Sequence, residues 1–305
     1  MKKILAILVM ILVIAGCDKS KITVCTTSYP IEWIVDTLAG SQVNICNLSQ
    51  GDFIGRASIN KAEIQGEIDV IFHNQQLEPY FSINRPFLSS VARQIIDLSA
   101  TSRSLPYKRS VSSTGFIDYY EKLSPLLMNQ YTVEPVQWMD LKLMTSMSKT
   151  ILDWLIEHDP INKTLYQERY LRLEKDLVSL DAQYANLNLD RSIKLASLSS
   201  AFNIWNHTYR IPVYPIITSR YGVIPNQAQL DIIVDELISQ NVHFLIYEDY
   251  LDSDLLELQD YLIEEVGLTP IRLSSIFTLS EKERLQNENY ISIMQDNLLI
   301  LEDLK

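Results

Sequence analysis

Apolar positions along this 305-residue chain fall into short runs that alternate with stretches of helical spacing. Ile22–Thr26 reads as a strand. Ile31, Ile34, Val35 and Leu38 then recur at helical spacing, and Gly40 stands where that helix should stop. QVNICNL (42–48) reads as a second strand, and SINKAEIQG (58–66) as a short helix opened by Ser58. DVIFHN (69–74) and RQIIDLS (93–99) are further strands. Residues 102–132 are Ser-rich and irregular, the pattern of a surface excursion. A helix is expected over Leu141–His158, followed by a long one starting near Asp159, with Pro160 in its first turn. Leu165, Leu173, Leu177, Leu180 and Tyr184 form its apolar stripe. About 28 residues at 1.5 Å each make a rod of about 42 Å.

The alternation then restarts. SIKLASLS (192–199) is a strand, AFNIWNHTY (201–209) lies in a helix, and IPVYPI (211–216) is extended. NQAQLDIIVDELISQN is a helix, HFLIYED a strand, DLLELQDYLIEEVG a helix and TPIRLSS a strand. A last helix covers ENYISIMQDNLLILEDL. Strands alternating with helices predict parallel sheets. The expected fold class is α/β, with two units joined by one long helix.

Hydrophobic residues make up 47% of the chain and charged residues 21%, enough apolar content for a sizeable core. The net charge of −12 argues against a nucleic-acid partner, because phosphate contacts need clustered Lys and Arg. MKKILAILVMILVIAGC opens with two lysines and a short apolar run, the form of a signal peptide. Val13–Cys17 looks like a bacterial lipobox, with Cys17 as the lipidation residue. The mature protein is therefore expected outside the cytoplasm, tethered to a bacterial membrane through lipid on Cys17. A disulfide is permitted there. Cys25 and Cys46 are nevertheless read as buried free thiols, since adjacent strands rarely suit a bridge.

No nucleophile elbow, phosphate loop, dinucleotide fingerprint or HExxH pair is present, so an enzyme is not expected. The histidines are His73, His158, His207 and His243. His73 follows a strand, where parallel sheets place ligands. Glu248, in the YED of residues 247–249, ends another strand.

Taken in order, the lipobox, TTSYPIEWIVDTLAG, DVIFHNQQLEPY, EPVQWMD, DPINK, SSAFNIW, LIYED and NYISIMQDNL resemble a known family. It comprises the zinc- and manganese-binding lipoproteins of bacterial ABC transporters, the TroA-like solute-binding proteins. The resemblance covers Ile22 to Leu304. It implies two lobes, each with a mostly parallel sheet flanked by helices, bridged by one long rigid helix. The corresponding segments are 1–17 (signal peptide and lipidation cysteine), 18–157, 158–189 and 190–305. The resemblance also implies a cleft holding zinc or manganese through three histidines and an acid, and an ABC permease as partner. The matching positions here are Gly55, Val136, Ser199 and Ser274. Gly and Val side chains offer no donor atom, so the ordinary site is not expected to form. Residues available to an altered cleft are Asp52, Arg56, His73, Gln137, Asn203 and Glu248. Arg56 would oppose a bare cation and favour an anionic or chelated solute, such as a metal complex. The resulting expectation is a solute-binding lipoprotein with an altered or degenerate metal site. Its alternative is a binding-dead paralogue serving as a surface adhesin or structural lipoprotein.

Overall fold

A computed structural model describes residues 21–74, 79–100, 133–187, 193–248 and 250–304. The signal peptide with Cys17, and the Ser-rich excursion of 102–132, lie outside the described residues. In the first half the chain runs β1 (Thr23–Thr26), α1 (Tyr29–Leu38), β2 (Asn44–Asn47), then a two-residue antiparallel pair, β3 (Ser49–Gln50) with β4 (Ser58–Ile59). β5 (Ile68–His73), α2 (Pro79–Val91) and β6 (Ala92–Asp97) follow. The strands β2-β1-β5-β6 form one parallel sheet. β1 and β5 are central and mostly buried, which is why both read as apolar runs rather than alternations. α1 buries Ile31, Ile34, Val35 and Leu38, the expected stripe. Gly40 takes φ +53 just beyond it, the left-handed turn that ends a helix.

α3 (Leu141–His158) has the expected bounds. Asp140 caps it, accepting from the backbone N–H of Lys142 at 2.8 Å and of Leu143 at 3.2 Å. The long helix α4 (Lys163–Ala185) is 23 residues, shorter than expected, because Pro160–Asn162 winds as a separate 3-10 turn. At 1.5 Å per residue it is about 35 Å long. Tyr166 and Tyr170 join Leu173, Leu177, Leu180 and Tyr184 on its buried face, whereas Leu165 is half-buried. Arg169 donates to the carbonyl of Leu38 at 3.1 Å, satisfying an end group of α1.

The second half contains β7 (Leu195–Ser197), α5 (Trp205–Thr208), β8 (Val213–Pro215), α6 (Gln227–Ser239), β9 (Phe244–Ile246), α7 (Ser253–Val266) and β10 (Thr269–Ile271). It ends with α8 (Glu281–Leu285) and α9 (Tyr290–Glu302). The parallel order is β10-β9-β7-β8. α9 packs on α4, where the Tyr184 hydroxyl donates to the Met294 carbonyl at 2.7 Å.

Three local expectations need correction. SINKAEIQG is not a helix: Ser58–Ile59 pairs with β3, and only Lys61–Glu63 forms a 3-10 turn, capped by Asn60. AFNIWNHTY is a 3-10 turn, Ser200–Phe202, followed by the four-residue α5. Cys25 and Cys46 are bridged, not free. They are direct partners in the β1–β2 register, which brings their Cα atoms to 4.5 Å, inside the disulfide range. A Cys25→Ala/Cys46→Ala variant is expected to lose about 3 kcal/mol of stability through the freed loop between them. The check is a lower urea midpoint with an unchanged far-ultraviolet circular dichroism spectrum.

Candidate functional site

The carboxyl ends of both sheets carry the residues singled out in the sequence. Most of them are buried. Gly55 lies in the loop between β3 and β4 with φ +93. A Cβ there would stand 2.8 Å from the Gly222 nitrogen and 2.9 Å from the Arg220 carbonyl oxygen. This loop of the first half thus rests directly on the turn that follows β8. The neighbouring Phe53 is buried in the hydrophobic cluster of the second half, with Leu198, Tyr214 and Ile217. Arg56 donates from Nε to the Gly222 carbonyl at 3.0 Å and from Nη1 to both Asp254 carboxylate oxygens at 2.9 and 2.8 Å. Expected to face a solute, its guanidinium is engaged by the chain's own carboxylate. Asp52 is exposed.

Val136 is 1% exposed, a core residue. Its frame forms the centre of the contact between the halves. Trp138 donates from Nε1 to the Ser275 carbonyl at 3.0 Å, and Trp205 donates likewise to the Met139 carbonyl at 3.0 Å. Asp140 accepts from the Thr208 hydroxyl at 2.7 Å, and the Tyr290 hydroxyl donates to the Trp138 carbonyl. Gln137 is buried, its carbonyl accepting from the Asp140 N–H at 3.1 Å. Two residues before Val136, the buried Glu134 accepts from Asn203 Nδ2 at 2.7 Å, and its Oε1 lies 3.3 Å from His207 Nε2. Asn203 was among the sequence candidates. Glu134 was not, although it is the one acid of the EPVQW run. Glu134 reaches His207 from a separate segment of the chain.

Ser199 caps the 3-10 turn after β7, its Oγ accepting from the Ala201 N–H at 3.2 Å. Ser274 accepts on Oγ from the Ile276 N–H at 3.3 Å, while its backbone is bracketed by Asn297 at 2.9 Å on both sides. Both hydroxyls therefore serve local turns. Glu248 is 4% exposed and accepts on Oε1 from the Tyr250 hydroxyl at 2.5 Å and the Ser275 N–H at 3.3 Å. Burial raises its carboxyl pKa, and those two partners oppose the rise. Among the described residues no three His, Cys, Asp or Glu side chains gather in a way that could hold a metal ion.

His73 ends β5, 1% exposed and stacked on Phe81 at 4.0 Å between ring centroids. Burial lowers its pKa to about 4, with Arg85 acting in the same direction and Asp97 against it. Above the ordinary value near 6.5 neither the folded nor the unfolded state binds this proton, and stability is complete. Between 6.5 and about 4 only the unfolded chain binds it, so stability falls as pH falls, by up to about 3 kcal/mol. Urea midpoints at pH 7 and pH 4.5 check this: the drop should shrink in His73→Phe.

The family model described as "Zinc-uptake complex component A periplasmic" matches residues 24–304. The chain is 21% identical over 287 residues to the zinc-binding lipoprotein AdcA of Streptococcus pneumoniae R6, covering 92% of this chain and 55% of that one. It is 25% identical over 174 residues to the high-affinity zinc uptake system protein ZnuA of Bacillus subtilis, covering 57% and 54%. The chain spans about half the length of these curated relatives. Among solved structures, the laminin-binding protein Lmb of Streptococcus agalactiae, described as having adhesin and metal transporting activity, superposes with a TM-score of 0.73. That match has 18% identity and covers 93% of this chain and 99% of that one. At this identity the likeness establishes the two-lobed α/β fold. No helix among the described residues is long and apolar enough to cross a membrane.

Proposed function

The chain belongs to the zinc-uptake complex component A family, and we propose that it is an extracytoplasmic solute-binding lipoprotein of an ABC uptake system whose ordinary metal site has been replaced by protein contacts. In this reading residues 18–157 and 190–305 are the lobes, 158–189 bridge them, and Cys17 carries the lipid. The observation that carries it is Gly55. The position that matches a family histidine is packed against the backbone of Arg220 and Gly222, with no room for a side chain. Val136 is buried, and the hydroxyls of Ser199 and Ser274 are used in turns. Zinc or manganese as cargo needs about four converging donors, which these residues do not supply. The lobes are instead drawn together by Arg56–Asp254, by Glu134–Asn203 and by the Trp138 indole.

Such a protein presents its closed form to the permease without an ion. Co-purification from membranes tests the reading: an ABC permease should accompany the full-length protein equally in zinc and in chelator. Association that needs zinc would overturn the replaced site. The likeness to Lmb supports a second reading as a surface adhesin, which consistent failure to recover a permease would favour.

A further inference from the structure

The Cys25–Cys46 bridge stands at the root of the loop that joins the lobes. β2 is the edge strand of its sheet, so its ladder is with β1 alone. It is four residues long, and none of them is fully buried. The bridge ties it covalently to β1, whose Cys25 is 0% exposed. Cys46, half-buried at the sheet edge, is the more accessible partner. Past Cys46 the chain is fastened to its own lobe. Asn47 donates to Glu32 at 2.7 Å and accepts from the Ser49 N–H at 2.9 Å, and the Leu48 N–H donates to the Thr26 carbonyl at 2.7 Å. Residues 51–57 then cross to the second lobe. Phe53 enters the apolar cluster there, and Arg56 reaches Gly222 and Asp254. The seat of this loop on the second lobe therefore depends on where β2 is held.

We propose that the bridge is a redox-sensitive control on the contact between the lobes. Oxidised, it fixes β2 and presents residues 51–57 to the second lobe. Reduced, it leaves an edge strand held only by its one-sided ladder, and β2 opens together with the loop it carries. The reductant is a protein dithiol outside the cytoplasm. One of its thiolates attacks the Cys46 sulfur, forming a mixed disulfide and releasing Cys25 as a thiolate that takes a proton from solvent. The second thiolate of the dithiol then displaces Cys46, which is protonated in turn. The dithiol leaves as a disulfide, having passed two electrons to the bridge. The proposal builds on the reading that protein contacts hold the lobes together.

Amide exchange of the full-length protein in detergent, with and without dithiothreitol, tests it. Dithiothreitol should make Cys25 and Cys46 available to alkylation without denaturant. Exchange at 51–57 and 219–222 should then quicken about tenfold, while Thr23–Thr26 and Ile68–His73 stay protected. Reoxidation with glutathione disulfide should restore the slow rate. Cys25→Ser/Cys46→Ser should exchange fast at 51–57 whether or not dithiothreitol is present. No alkylation under native conditions, unchanged exchange at 51–57 after reduction, or equal quickening through the whole first sheet would each overturn the proposal, the last by making the bridge a general staple. The reading of the cleft fails separately: permease association that needs zinc would overturn it and leave the exchange result standing.

Discussion

Replacing Trp138 with alanine is expected to destabilise the protein by about 4 kcal/mol. The indole is fully buried and stacks against Phe277 at 6.2 Å between centroids. Its truncation opens a cavity at the junction of the lobes. It also strands the Ser275 carbonyl, which accepts the indole N–H at 3.0 Å in a region closed to water. Trp138→Phe keeps most of the volume and removes only the donor, so about 1–2 kcal/mol should be lost. Chemical denaturation of the three proteins separates the two contributions. Equal losses for Phe and Ala would mean that packing at this junction contributes little.

Gly55→Ala is expected to part the loop between β3 and β4 from the turn at Arg220–Gly222. The added methyl meets backbone atoms at 2.8 and 2.9 Å, and neither partner is the mobile end of a side chain. The left-handed φ of +93 adds strain for any residue with a Cβ. Overpacking and strain together amount to about 3 kcal/mol or more. Because Arg56 and Phe53 sit on the same loop, the chain relieves the clash most cheaply by releasing the whole loop. Amide exchange should therefore quicken at 51–57 and 219–222 while the sheets stay protected. Gly55→His, which introduces the histidine that the family resemblance implies for this position, should behave alike or worse and gain no zinc affinity by itself. Unchanged exchange in Gly55→Ala would show that the two segments are not in contact.

Much of the fold was legible because it rests on local patterning. The α1 stripe, the bounds of α3, the buried face of α4 and the strands feeding each sheet follow from apolar spacing and caps. Elements whose order comes from elsewhere were not legible. α2 carries Pro86 in its interior and has a mixed face, so its sequence argues against the helix it forms. β4 exists only through its pairing with β3. The Cys25–Cys46 bridge depends on register, which brings the two residues directly opposite each other.

The site divides in the same way. That Gly55 and Val136, two of the four positions implied by the resemblance, offer no donor atom is plain from the sequence. What fills their places is not. Arg56 meets Asp254 from 198 positions away, and Glu134 meets Asn203 from 69 away. His207 lies on the short helix α5, and its ring nitrogen meets Glu134 from a separate segment of the chain.

Metal retention tests the replaced site most directly. The full-length protein is equilibrated separately with zinc and with manganese, desalted, and its metal counted per chain by elemental mass spectrometry. Retention below about one tenth of an equivalent, with no change in melting temperature on adding either ion, is the predicted result. About one tightly held equivalent would contradict it, and would mean that side chains outside the four family positions converge on an ion after all.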